Sequence, residues 1–422
     1  MRIPRFIKDS GTLVSGHVTA QLIAFAAYPL LTRLFTPEDF GLYNVFYSYI
    51  EVFIILSTCK YELSIVTAES EDEARAIARL TLRLNSYVSL LLLTVVLVLT
   101  LLGVHLGPLM PSLALLIPFM VFFCGTTRVY GFLYNRWKQY RPIATGEVLT
   151  SATGVVAKAA LGLLAPLMGA LHIFGLPLGT IGGKMAGNLY YRLRTGRLSR
   201  PGDEPVPARP LMRKYRNFPL YVMPKEFVSS FSANLPFLWL AAYFDNAAIG
   251  LFSLALTFTI RPVRILNNAF ESVFYADTAQ KVRQGQPIGA PIRKFVLVLN
   301  AVAFPLMVAG FFYAEPIFTF LLGDEWIGTG YYVRCLVPWL WVMLTANSLM
   351  FVSNLFGTQR VDFYFQIALL VLRVAALAIG LHAGDFRLAI LLFAAVSALV
   401  QLTLTGWYLF QVHRYDRQTR QP

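Results

Sequence analysis

Twelve apolar stretches, each of about 20 residues and so long enough for a hydrocarbon core of about 30 Å, dominate the chain. They fall near 12–35, 41–61, 84–104, 109–134, 143–165 and 169–191, then near 218–243, 247–274, 293–315, 333–356, 363–382 and 387–411. No soluble core could absorb them in a chain of 422 residues that is 57% hydrophobic and 14% charged, with a mean hydropathy of +0.59. In hydrocarbon the backbone must bond within its own segment, so the expectation is an all-α polytopic membrane protein. The first stretch is interrupted by His17 and Gln21 and reads as an uncleaved span rather than a secretory signal.

A net charge of +14 would suit nucleic acid, but the basic residues flank the apolar runs and no aromatic-studded basic domain is present. They cluster at 1–10, 134–141, 192–217, 276–294 and 411–422, while the alternate loops are nearly free of Lys and Arg. By the positive-inside rule both termini face the cytoplasm, which for a bacterial chain means the inner membrane. The acid-rich run at 69–79 reads as a short helix lying on that interface. A proline-rich stretch at 200–210 divides the chain into a six-helix lobe (1–195), a cytoplasmic Pro/Arg-rich linker (196–217) and a second six-helix lobe (218–422). No loop is long enough for a folded catalytic domain, and no GxxxxGK[ST] is present, so neither an enzyme nor an ATP-driven pump is expected. Cys59, Cys124 and Cys335 and the scattered histidines have no metal-ligand spacing.

The halves resemble each other. Leu34-Phe-Thr-Pro-Glu-Asp-Phe-Gly-Leu-Tyr43 matches Tyr243-Phe-Asp-Asn-Ala-Ala-Ile-Gly-Leu-Phe252 at an offset of 209, each lying between the first and second span of its half. Six is even, so the repeat is parallel, with a pseudo-two-fold axis along the membrane normal, an arrangement found in transporters.

Several segments resemble the polysaccharide transport family, the O-antigen and exopolysaccharide flippases of the multidrug/oligosaccharidyl-lipid/polysaccharide export superfamily. They are Leu31-Thr-Arg-Leu-Phe-Thr-Pro-Glu-Asp-Phe-Gly-Leu-Tyr43, Tyr215-Arg-Asn-Phe-Pro-Leu-Tyr221, Gly250-Leu-Phe-Ser-Leu-Ala with Arg261-Pro262, Leu322-Gly-Asp-Glu-Trp326 and Asn354-Leu-Phe-Gly-Thr-Gln-Arg360. The resemblance implies two six-helix lobes around a central cavity that opens alternately to either face. It implies passage of an undecaprenyl-diphosphate-linked oligosaccharide to the periplasmic leaflet, with membrane lipids, a polysaccharide polymerase and chain-length proteins as partners. It implies no cofactor beyond an H+ or Na+ gradient. The chain departs from the lipid-linked peptidoglycan precursor flippases of that superfamily in having twelve spans rather than fourteen and Glu51, not a base, in its second span.

Charges deep in a span are costly and face a partner or a wet cavity. Lys158, Arg261 and Arg373 lie far from their span ends, with Arg264 and Lys184 in the cytoplasmic half; against these five bases stands one deep acid, Glu51. One reading is a cationic cavity that holds a diphosphate or acidic sugar. The other is structural, Arg261 pairing with Glu51 and the rest bonding freed carbonyls. Glu51 is either a titrating group for proton or sodium coupling or the counter-ion of Arg261. Arg128 and Glu147 lie nearer span ends, where snorkelling explains them. Trp239, Trp326, Trp339, Trp341 and Trp407 read as an interfacial aromatic belt. Gly175, Gly179, Gly183 and Gly187 form a small-xxx-small packing edge with Lys184 on its shoulder. A drug exporter would need acids in place of these bases, and a polymerase or glycosyltransferase would need a longer periplasmic loop.

Overall fold

Among the described residues of the computed structural model, twelve long helices follow one another: α1 (Arg5–Leu34), α2 (Pro37–Thr58), α3 (Glu71–Leu101), α4 (Ile117–Arg136), α5 (Tyr140–Leu163), α6 (Gly175–Thr195), α7 (Met223–Trp239), α8 (Asn246–Arg283), α9 (Gly289–Phe312), α10 (Thr329–Ser348), α11 (Gln359–His382) and α12 (Phe386–Arg420). The structure describes residues 5–104, 109–164, 167, 169–196, 198 and 207–420, without the side chains of 5–14, 170, 264–277, 279–280, 283, 354 and 420. Part of the proline-rich linker is therefore outside the described residues.

Local chemistry sets the helix starts. At α2 the Asp39 N–H donates to Thr36 Oγ1 (3.4 Å) and the Thr36 N–H donates back to Asp39 Oδ2 (3.0 Å), a capping box with Pro37 in the first turn. At α3, Ser70 Oγ accepts the Glu73 N–H at 3.1 Å, and Glu71, Asp72 and Glu73 complement the helix dipole. Here the structure corrects an expectation: the interfacial helix at 69–79 and the third span are one continuous helix of 31 residues, because no glycine or proline breaks it. Before α7, the chain takes a π-helical turn over Phe218–Val222, where Pro219 supplies no N–H to the ladder.

By packing, the chain forms two compact units, Met1–Ala242 and Tyr243–Pro422. Helix α7 belongs to the first of these units because it packs on α2, where Ser230 Oγ donates to the Glu51 carbonyl (3.2 Å) and Asn234 Nδ2 to Glu51 Oε2 (2.9 Å).

Within the first unit α5 packs along both α1 and α6. A Cβ on Gly183 would lie 2.5 Å from the Thr150 carbonyl oxygen and 2.8 Å from Gly154 Cα, and one on Gly179 would lie 2.7 Å from Lys158 N. The glycine stripe therefore lets two backbones meet. Helix α4 lies against α2, α3 and α6. Asn85 Nδ2 donates to the Phe122 carbonyl (2.9 Å), and Asn188 Nδ2 donates to the Phe123 carbonyl and Thr127 Oγ1 (both 3.0 Å). At the end where α3 begins, Arg136 Nε and Trp137 Nε1 donate to the two Glu71 oxygens (3.0 and 2.7 Å). Lys214, closing the short helix Ala208–Lys214, reaches Glu73 (2.6 Å) and Glu69 (2.9 Å), and these hydrogen bonds hold its ammonium above its ordinary pKa range.

The second unit repeats the pattern. The pairs α8/α10, α9/α10, α10/α12 and α11/α12 pack together as α2/α4, α3/α4, α4/α6 and α5/α6 do in the first. Pro37 and Asn246, which open α2 and α8, are 209 positions apart, the register of the sequence repeat. Asp416 of α12 accepts the backbone N–H groups of Ile288 (2.8 Å) and Gly289 (2.9 Å), satisfying orphan donors where α9 starts.

Eight of the twelve helices are long and apolar enough to cross a membrane by length and composition. The exceptions among the described helices are α1, α5, α6 and α7; α5 carries Glu147 and Lys158, α6 carries Lys184, and α7 has 17 residues. Three of these four helices, α1, α5 and α6, contribute charged groups to the site described next.

Candidate functional site

A cavity of about 390 Å³ opens inside the first unit between α1, α2, α4, α5 and α6. Its charged lining is Arg128, Lys184, Glu147 and His17. Each helix sets its contributor by period. Cys124 and Arg128 are four apart on one face of α4, and Lys184 and Tyr191, seven apart on α6, return to one face after two turns. Close packing of α6 on α5 through Gly183 holds Lys184 beside Glu147's helix rather than in lipid. The Glu147 carboxylate is already engaged: it contacts His17 Nδ1 directly. Neither Arg128 nor Lys184 has an ion-pair partner among the described residues, and both act electrostatically, together with Glu51, on Cys124. Lys60 extends the basic character, as it feels the charge of Arg128 and lies 3.8 Å from Glu226. The cavity therefore carries two basic groups without carboxylate partners among the described residues.

Of the bases expected from sequence, Lys184 lines this cavity. Lys158 is half-buried further along α5, its ammonium 5.1 Å from the centre of the Tyr43 ring; Tyr43 in turn shares a hydrogen bond of 3.0 Å with Thr180. Glu51 is exposed, and its carboxylate accepts from Asn234. That hydrogen bond to α7 is the side-chain contact described at Glu51. Arg261 is half-buried on α8 and engaged in interactions of its own. The side chain of Arg264 lies outside the described residues.

Arg373 differs from the expectation of a cavity-facing base. It is 4% exposed inside the second unit, where its Nε donates to Ser397 Oγ (2.8 Å) and its guanidinium lies 4.4 Å from the Phe393 ring centre and 5.4 Å from that of Trp339. A guanidinium is weakly hydrated and stacks on aromatic faces, and Phe393 and Trp339 offer such faces to Arg373. Trp339 is buried with it and donates to Gln401 (3.1 Å), and Trp326 is fully buried; these two are core residues rather than belt residues.

Sequence reasoning missed Arg128, Glu147 and His17 because each lies near a span end, where snorkelling is the ordinary explanation. The one available signal was that all three fall on the same side of the bilayer as Lys184.

A cavity with basic lining among glycine-packed helices, in a chain whose helix pairings recur in a second unit, defines a multi-pass membrane fold. Solved structures agree on that fold. The lipid II flippase MurJ in an inward closed conformation matches with a TM-score of 0.74 at 12% identity, covering 96% of this chain and 90% of that one. An inward-facing multidrug resistance MATE family transporter matches at 0.68, 12%, 94% and 96%. A superfamily transporter from Pyrococcus furiosus, described as having a binding pocket of reverse polarity, matches at 0.65, 13%, 97% and 95%. No curated protein matches the sequence. The model of the polysaccharide biosynthesis protein family matches residues 6–275, and the chain belongs to that family.

Proposed function

We propose that this protein is a lipid-linked oligosaccharide flippase that carries undecaprenyl-diphosphate-linked O-antigen or exopolysaccharide repeat units from the cytoplasmic to the periplasmic leaflet. The observation that carries the reading is the pair Arg128 and Lys184, two cations without carboxylate partners among the described residues, facing one cavity in a polysaccharide biosynthesis protein. Leaving such charges uncompensated at membrane depth is expensive, and a diphosphate or acidic sugar supplies the missing counter-charge through charge-assisted hydrogen bonds. Lys158, Arg261 and Arg264 are proposed as further substrate-binding bases, while Arg373 supports its own helix bundle. Substrate would move by alternating access, driven by an H+ or Na+ gradient through Glu51 or the His17–Glu147 pair. The protein would sit in the bacterial inner membrane with both termini cytoplasmic, working beside a polymerase and chain-length proteins.

The test is complementation of a host lacking its own flippase. Lys184→Ala and Arg128→Ala are expected to abolish surface polysaccharide while the protein stays in the membrane at normal levels. Wild-type polysaccharide from the double variant would overturn the assignment. A second reading, a drug or cation antiporter, rests on the exposed carboxylate of Glu51; it predicts ethidium efflux that Glu51→Gln removes and Lys184→Ala leaves intact.

A further inference from the structure

A second cavity, of about 420 Å³, lies on the opposite face of the α4/α6 pair from the cationic one. Leu82 and Ser86 of α3, Phe122 and Phe123 of α4, and Met185 and Leu189 of α6 form its walls, with Arg192 at one end. Thr126, Tyr130 and Asn188 complete the lining. Asn188 belongs to the partition itself: its amide donates to Thr127, whose side lines the cationic cavity. The two cavities are thus back to back across one layer of helices.

The second cavity has the chemistry of a bound lipid. Its mouth is apolar, with Leu189 57% and Met185 50% exposed, and it continues the exposed apolar surface of α3 at Leu90 and Leu91. Its polar end is the last turn of α6, where Arg192 is exposed, close enough to Tyr130 to act on it electrostatically, and in no ion pair among the described residues. All three wall helices present the end that carries the Glu71–Arg136 and Lys214–Glu73 contacts, and Arg79 there donates to the Leu198 carbonyl (3.0 Å). Arg136 and Lys214 are thus matched by Glu71 and Glu73, and the positive charge left at the headgroup level of the groove is that of Arg192; a basic group in a pocket between transmembrane helices selects anionic lipid headgroups.

We propose that this groove is a binding site for one anionic glycerophospholipid, its acyl chain between α3, α4 and α6 and its phosphate on Arg192. The occupant is a resident lipid and not the tail of the transported substrate, because the α4/α6 layer closed by Asn188 and Thr127 separates it from the cationic cavity. From this position the lipid braces the same helices that carry Arg128 and Lys184. The inference stands whether or not the protein flips oligosaccharides.

The experiment is native mass spectrometry of the full chain in detergent, titrated with phosphatidylglycerol and, separately, phosphatidylcholine and undecaprenyl phosphate. Wild type is expected to retain one phosphatidylglycerol in preference to phosphatidylcholine. Arg192→Ala is expected to weaken that binding roughly fivefold, the order of one basic residue at an anionic surface, and Met185→Trp, which fills the groove, to eliminate it. Leu306→Trp, on an exposed apolar position of α9, serves as the lipid-facing control and leaves binding unchanged. Equal retention by wild type, Arg192→Ala and Met185→Trp would overturn the site, as would displacement of phosphatidylglycerol by undecaprenyl phosphate at equal concentration, which would assign the groove to the carrier.

Discussion

Lys184 and Arg373 carry like charges and sit in helices of similar length, yet their surroundings give them opposite roles. Lys184 faces an open polar cavity without a carboxylate partner among the described residues, whereas Arg373 is enclosed by Ser397, Trp339 and Phe393. Arg373→Ala is therefore expected to lower stability by roughly 2–5 kcal/mol, the range for emptying a core site, seen as reduced yield and an earlier thermal transition in detergent. Arg373→Met, which keeps the volume, is expected to recover most of that loss; wild-type stability of the alanine variant would remove Arg373 from the structural role. At Glu51, the Asn234 hydrogen bond survives replacement by Gln while titration does not. Glu51→Gln is thus expected to fold normally and to abolish the dependence of transport on an ion gradient. Gradient-dependent transport by that variant would exclude Glu51 as the coupling group. Sequence identified that these residues were out of place in lipid, since the cost of charge depends on depth along a span. It could not tell cavity from core, because that depends on which neighbouring helix supplies aromatic faces or a carboxylate, and those neighbours are dozens of residues away.

The helices themselves were largely legible, and the glycine stripe of α6 shows why. A four-residue spacing of glycine has one economical use inside a membrane, the close approach of a second backbone, and the structure supplies α5 as the partner. Gly183→Leu is expected to drive Leu atoms into the Thr150 carbonyl and Gly154, costing about 1–3 kcal/mol or more through overpacking, with lower yield of folded protein and loss of transport. Gly406→Ala on α12, where an added Cβ meets nothing within 4 Å, serves as the silent comparison; similar loss from both would mean that the stripe does not pack as described. Misreadings arose where local composition changes but the helix does not. The switch from acids and arginines to leucines near Leu84 looks like a boundary, yet backbone hydrogen bonding is indifferent to it, and α3 runs through.

At the scale of the molecule, the six-plus-six order and the internal repeat were visible because each half carries six apolar runs, and the register that starts α2 recurs at α8 although most helix lengths differ between the halves. The packing of α7 was not visible. Nothing in its composition announces that Ser230 and Asn234 will bond to α2. Nor did the spans announce that the first unit would hold its own cationic cavity, since three of its four charged groups sit near helix ends. The central claim is that this cavity selects an anionic, lipid-linked glycan. The most direct measurement is translocation in proteoliposomes loaded with undecaprenyl-diphosphate oligosaccharide, read by a glycosidase that reaches only the outer leaflet. Wild type is expected to expose the glycan, and the Lys184→Ala, Arg128→Ala double variant, folded by its thermal transition, to leave it protected. Equal exposure by both proteins would contradict the account.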